Sequence, residues 1–454
     1  MSEQKEDLAT RISGRVGPTE RQMALGMSLV FVGLNVYYFH RWAFKFNSTG
    51  TSPTYANTPY AWQSAKYVAV FVVAVTAWGA VFWLARSRGS IAWLRYQATG
   101  GFAPILAVLF FYFVAITAIW SSPSSSQFGS LVVGFFFIPI VLLMPTAPVG
   151  EAAWSIYAKA GTWLVAYHVV FSLIQIVFYF GADRLPALAY DNGALVRFGA
   201  GLDDPNGFGV MAVLPILIIV SMWPTLDRKG PAAVMLVLLA GLLFLTLSFS
   251  AAVGFGVGLL ALAAITKQLK VLGVVFGVML LGVVAVASSS YLQDVIARKK
   301  DSAVSRFDFG ARRPGQLGFT DFLDTLTIWR FLFGAPHEAV GSEYAYIVIF
   351  TNFGIVGLVA VLVLVVIAVE RSVSTARLAR DAGQLKVARI YQALGAYVVA
   401  FSVAGLGVPY FNVFPVNMLF WLVAMLAVIR PRLGASDEPV PISHAHEMRM
   451  ERSD

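Results

Sequence analysis

The sequence contains no cysteine, which excludes disulfides, thiolate metal sites and cysteine nucleophiles. Charge is scarce as well: Asp, Glu, Lys and Arg make up 13% of the residues against 58% hydrophobic, and mean hydropathy is +0.73. That balance lies outside the range of soluble domains and indicates a polytopic membrane protein. The signatures of soluble enzymes are missing too. There is no P-loop, no dinucleotide-binding glycine turn after a strand, no His-Glu-x-x-His and no Gly-x-Ser-x-Gly. Histidines number five, and the carboxylates of the polar loops form no compact cluster, so the ligands for a metal-assisted reaction are not assembled in the sequence. The formal charge of +9 calls for no nucleic-acid partner, because most of the excess falls in short loops between apolar runs.

What is abundant is long apolar sequence. Runs near the roughly 20 residues needed to cross about 30 Å of hydrocarbon occur at 22–39, 66–84, 103–120, 128–147, 160–181, 206–223, 231–248, 251–266, 269–288, 344–369, 388–407 and 411–429. The expectation is therefore an all-α bundle of about twelve transmembrane helices. The N-terminal segment, with Lys5, Arg11, Arg15 and Arg21, has no small-residue cleavage pattern and reads as a retained cytoplasmic tail. Alternation from there places Arg86, Arg88 and Arg95, Lys159, Arg228 and Lys229, Lys267 and Lys270, the Arg371–Arg389 group, and Arg430 with Arg432 on one side, as the positive-inside tendency requires. The weakest connection is near 248–251, where two runs almost touch. Glycines 254, 256 and 258 read as helix packing, and His168 as an interior histidine.

The loops on the other side are not simple connectors. Loop 40–65 is rich in Ser, Thr, Asn and Pro and reads as a solvated turn or a lid. The longest, 289–343, carries Arg298, Lys299, Lys300, Arg306, Arg312, Arg313 and Arg330 among an equal number of carboxylates, so it is not a basic patch for anionic lipid. Within it, Phe319, Phe322, Leu323, Leu326, Trp329 and Phe331 recur near helical spacing between Asp321, Asp324 and Arg330. That pattern predicts an amphipathic segment lying along the membrane interface, as a roof over a site or as a simple cover for the bundle.

The stretch Arg197-Phe-Gly-Ala-Gly-Leu-Asp-Asp-Pro-Asn-Gly-Phe-Gly209 enters an apolar run at its polar edge. Charge there is costly unless it is used or paired, so the segment reads as one wall of an active site. A plain turn with Asn206 capping the next helix is the alternative. Arginine is what this face supplies, and guanidinium groups bind phosphate oxygens bidentately and stabilise a departing diphosphate without a metal. A nearby carboxylate or histidine can take the proton of an attacking hydroxyl. Sugar transfer outside the cytoplasm needs a donor already activated on a lipid carrier, and the polar inventory fits that reaction.

The pattern Arg197-x-Gly-x-Gly-x-x-Asp-Pro-Asn206-Gly-Phe-Gly resembles an element of the O-antigen ligase and polymerase superfamily. Leu245-Thr-Leu-Ser-Phe-Ser-Ala-Ala252 is similar to its short inter-span motif, and Ser305-Arg306, Leu332-Phe-Gly334, Ser342-Glu-Tyr-Ala-Tyr346 and Asn352-Phe-Gly-Ile-Val-Gly357 follow in the family's order. The resemblance covers residues 190–370. It implies a GT-C-like helical membrane protein with a large periplasmic loop containing amphipathic helices, and a metal- and cofactor-independent glycosyltransferase. Its substrate is glycan linked to undecaprenyl diphosphate, used at the periplasmic face of the bacterial inner membrane with both termini cytoplasmic.

The implied segments are a cytoplasmic tail 1–21, transmembrane helices 22–181, a periplasmic loop 182–205, central helices 206–288, the large periplasmic loop 289–343, C-terminal helices 344–429 and a cytoplasmic tail 430–454. By the resemblance, Arg197 and Arg306 bind the diphosphate with Arg312 and Arg313 as helpers. Glu343, His337 or Glu338 is the base, Glu343 being favoured by its place at the mouth of a span, although an interfacial salt bridge is its plain alternative. Asp203 and Asp204 orient Arg197, with Asn206 and Tyr344 in support. Ligases carry a histidine where this chain reads Ser342-Glu343-Tyr344. That favours a polymerase joining lipid-linked repeat units over a ligase moving finished glycan to lipid A core, while the long charged outer loop and the lack of two-halves symmetry count against a flippase. A chain-length regulator, export machinery and membrane lipids are the implied partners.

Overall fold

The computed structural model describes residues 21, 24–26, 28–29, 32, 151–181, 189–191, 196–198, 205–268, 273, 277, 288, 293, 318–335, 344–408 and 416–429. Apart from single positions, the runs expected at 22–39, 66–84, 103–120, 128–147 and 269–288 lie outside them. The described residues are helical but for one short hairpin: α1 (Glu151–Gly181), β1 (Ala189–Asp191), β2 (Val196–Phe198), α2 (Pro205–Met222), α3 (Lys229–Leu245), α4 (Phe249–Thr266), α5 (Phe319–Asp324), α6 (Ile328–Phe333), α7 (Ala345–Asp381), α8 (Leu385–Ala404) and α9 (Val416–Val428). Four helices among them are long and apolar enough to cross a membrane: α2 with the 3₁₀ turn that follows it, α4, α7 and α8. α7 has 37 residues, about 55 Å at 1.5 Å per residue, so it outruns the hydrocarbon thickness.

α8 is the hub, packed against α2, α4, α7 and α9. Its sequence explains why: Ala393, Ala396, Ala400 and Ala404 are small and fully buried, which lets neighbouring backbones come close without side-chain interdigitation. α4 answers with its own small residues. A Cβ on Gly254 would lie 2.8 Å from the Ala400 carbonyl oxygen, and one on Gly258 would lie 2.9 Å from Ala400 Cβ, whereas Gly256 faces open space. The packing reading of these glycines therefore holds for Gly254 and Gly258 but not for Gly256. Gly254→Val is expected to push α4 off α8 and destabilise the bundle by about 1–3 kcal/mol. Gly256→Val should stay within about 0.5 kcal/mol. Thermal unfolding of the two purified variants decides this, and equal midpoints would contradict the packing.

Two ends of the bundle are chemically distinct. At one, Ser221 Oγ donates to the Arg389 carbonyl (2.7 Å), Ser372 Oγ donates to the Tyr391 carbonyl, and Tyr391 Oη donates to the Ile429 carbonyl (2.6 Å). These bonds hold together the end of α2, the far part of α7, the start of α8 and the end of α9. Arg228, Lys229, Lys267, Arg371, Arg377, Arg380, Lys386 and Arg389 gather there with Asp227, Glu370 and Asp381. α1 starts near this end, where Trp154 meets Tyr391 edge-on at 5.9 Å. It then runs to the opposite end, where the buried His168 meets Phe208 at 5.6 Å.

Candidate functional site

The opposite end collects the segments the sequence marked. α2 begins with Pro205 in its first helical position, where a missing N–H costs nothing and a fixed φ helps. Asn206 is thus one residue inside the helix, half-buried, and not its cap. Three residues on, Gly209 lies against the α3–α4 connection: a Cβ there would stand 2.7 Å from Ala251 Cβ and 3.1 Å from Thr246 Oγ1. A glycine is what lets α2 approach this connection so closely.

That connection is only Thr246-Leu247-Ser248, so the two runs that nearly touch in sequence are separate helices. Leu247 takes a left-handed φ of 48°, uncommon for a branched side chain. Hydroxyls hold it in place. Thr246 Oγ1 donates to the Leu243 carbonyl (2.6 Å) and accepts from Ser248 N (3.3 Å). Ser248 caps α4 by accepting from Ala251 N (3.3 Å), and its hydroxyl bonds that of Ser250 (3.3 Å). Thr246, Ser248 and Ser250 are all buried. Leu245–Ala252 is thus a reversal between helices, built from hydroxyls that replace the absent loop.

α7 enters at the same end. Tyr344 is its N-cap, half-buried, and the next residue, Ala345, donates its N–H to the Gly405 carbonyl at the end of α8 (2.9 Å). Tyr346 Oη adds a bond to the Ser402 carbonyl (2.7 Å), and Gly407 brings the chain after α8 against Ser250. The starts of α2, α4 and α7 and the end of α8 therefore meet. Arg197 sits in β2 opposite Tyr190, in an antiparallel hairpin with register Ala189↔Phe198 and Asp191↔Val196. β2 approaches α1 and α3. The segment expected to be a loop is in part a hairpin, and its arginine precedes the start of α2 by only eight residues.

The amphipathic segment of the large loop is two short helices rather than one. Gly318 N donates to Asp321 Oδ2 (3.0 Å) at the start of α5, and Thr327 caps α6 by accepting from Arg330 N (3.3 Å). Between them Arg330 Nη1 donates to Thr325 Oγ1 (2.8 Å). Phe350 of α7 receives Phe319, Phe322 and Phe331 edge-on, with centroids 6.4, 6.2 and 6.0 Å away. Leu323, Leu326, Ile328 and Trp329 remain exposed. The anchoring is completed by backbone. Gly334 (φ 78°, ψ −172°) ends α6 and Gly354 (φ 66°, ψ −170°) interrupts α7. Both sit in a region open essentially to glycine alone. A Cβ on Gly334 would strike the Asn352–Phe353 peptide, and one on Gly354 would strike the Leu332–Phe333 peptide. Ala335 N closes the contact by donating to the Thr351 carbonyl (2.6 Å).

No family model matches the chain, and no curated protein does either.

Among the predicted site residues, the structure thus brings the strand of Arg197, Asn206 and Tyr344 to one end of the bundle. Glu343, His337, Glu338, Arg306, Arg312, Arg313, Asp203 and Asp204 lie outside the described residues. Glu343 and Asp204 directly precede described positions at that end, Tyr344 and Pro205. Among the described residues no three of His, Asp and Glu group as a metal site. The glycine interlock was missed as a structural device, although its signal is in the sequence: the paired Phe333-Gly334 and Phe353-Gly354 dipeptides.

Proposed function

We propose that the chain is a polysaccharide polymerase of the O-antigen, capsule or exopolysaccharide kind. It extends glycan carried on undecaprenyl diphosphate in the inner membrane, within a GT-C-like bundle of about twelve spans. One observation carries this reading. The marked segments converge at the end of the bundle opposite the cations, and an aromatic helix pair is fastened to α7 on that side. By the positive-inside tendency the cationic end is cytoplasmic, so the convergent end faces the periplasm.

The reaction is a displacement at an anomeric carbon. A hydroxyl oxygen of the acceptor sugar forms the new glycosidic bond, and the bond from the anomeric carbon to the diphosphate oxygen breaks. Undecaprenyl diphosphate leaves with that electron pair. Arg197 and Arg306, helped by Arg312 and Arg313, take up the charge that develops on it. Glu343, just before the N-cap of α7, receives the acceptor proton, with His337 and Glu338 as the other bases. Asp203 and Asp204 orient Arg197. The exposed Leu323, Leu326, Ile328 and Trp329 hold the helix pair at headgroup level, the height at which a lipid-linked diphosphate presents its reactive bond. Chain-length and export proteins complete the pathway as partners.

Deleting the gene tests the reading. Surface glycan run as a gel ladder should lose its long polymer, and single lipid-linked repeat units should accumulate on the outer face. Long polymer stranded on its lipid carrier would instead make the chain a ligase, and intermediates trapped on the inner face would make it a flippase.

A further inference from the structure

We propose that the cationic end of the bundle holds the phosphate headgroup of an anionic phospholipid between Arg380 of α7, Arg389 of α8 and Lys267 at the end of α4. Arg389 is half-buried in the first turns of α8, and its partners are neutral. Nη1 donates to Gln392 Oε1 (3.3 Å), and the Gln268 carboxamide oxygen accepts from Nη2 (2.8 Å) and Nη1 (3.0 Å). Lys267, next to Gln268, is exposed and forms the left-handed cap of α4.

Arg380 lies in the last turn of α7, and a short turn at 382–384 leads directly into α8, where Arg389 is the fifth residue. Among the described residues, no carboxylate lies at ion-pair distance from Arg380, Arg389 or Lys267; Glu370 pairs instead with its neighbour Arg371 (3.6 Å). Like charges held together without a counter-charge are costly unless an anion joins them.

The occupant follows from the surroundings. A phosphate matches the guanidinium fork. Arg380, Arg389 and Lys267 lie within about a turn of their helix ends, where Leu378 and Leu385 are also exposed. An acyl chain can lie against these leucines while the phosphate reaches the arginines. A free anion has no use for them. Basic pockets between helices on the cytoplasmic side are a known setting for anionic headgroups.

The test uses the full-length chain purified in detergent and titrated separately with phosphatidylglycerol, phosphatidylcholine and inorganic phosphate. Native mass spectrometry reads lipid retention, and thermal unfolding reads stabilisation. Phosphatidylglycerol should be retained and should raise the unfolding midpoint. Arg380→Gln combined with Arg389→Gln should weaken retention about 30-fold, from the loss of two headgroup charges. Equal retention by the double variant would overturn the proposal, as would an equal shift with phosphatidylcholine or with inorganic phosphate alone. If the double variant does not fold, Lys267→Gln and high salt replace it. Each should weaken retention by the wild-type chain's measure, and indifference to both would be equally decisive against the site.

Discussion

Gly354→Ala is expected to unseat the α5–α6 pair from α7. The alanine must adopt a backbone conformation that only glycine occupies readily, and its methyl group must enter the space of the Leu332–Phe333 peptide. Neither obstacle can be relieved by turning a side chain, because both involve main chain. Strain of this kind costs about 1–3 kcal/mol on its own, and overpacking adds a similar amount. The expected result is a lower unfolding midpoint and faster proteolysis within residues 318–335, with the remaining helices intact. Gly334→Ala attacks the same contact from the other side. The two changes should therefore be far from additive: once one has opened the interlock, the second meets less resistance. A double variant whose loss equals the sum of the single losses would show that the two glycines act separately.

Arg197→Ala is expected to remove long-chain product almost completely while leaving the protein's abundance in the membrane near wild type. Loss of one charge-stabilising donor typically slows turnover by about 10²–10³-fold, enough to erase a polymer ladder. Arg197 stands on a short strand before α2, outside the packed helices that set stability, so its replacement should spare the fold. Arg197→Lys should recover only part of the activity, because an ammonium group keeps the charge but not the planar fork. The comparison needs a gel ladder of the glycan and an immunoblot of membranes from the same cells. An unchanged ladder in Arg197→Ala would remove this residue from the mechanism; a lost ladder with lost protein would make it structural.

Among the described residues, much of the helical layout could be read from apolar runs alone. The runs at 206–223, 231–248 and 251–266 match α2, α3 and α4 to within two or three residues, because Pro205, the Arg228–Lys229 pair and Lys267 mark their ends. α7 was underestimated. Its run was expected to end at 369, yet the helix continues to Asp381, since Arg371, Arg377 and Arg380 are good helix formers that end the apolar run without ending the helix. The hairpin at Ala189–Phe198 escaped notice because three-residue strands carry too little alternation to register. The Gly334–Gly354 interlock was hidden for a different reason. Each Phe-Gly dipeptide stands out only within its own segment, and the approach of two backbones from separate elements gives the pair its meaning. For the proposed site, the sequence singled out the segments, but not that the starts of α2, α4 and α7 meet the end of α8. That convergence depends on the small residues of α4 and α8, whose consequences appear only once the helices are packed.

The most direct test of the account is to supply the purified full-length protein, in liposomes, with a single lipid-diphosphate-linked repeat unit and to follow the products with and without a chelator. The account predicts lipid-linked oligomers of increasing length and an equal number of released undecaprenyl diphosphate molecules for the bonds formed, unaffected by the chelator. Repeat units recovered unchanged, from protein shown to be folded and correctly inserted, would contradict it.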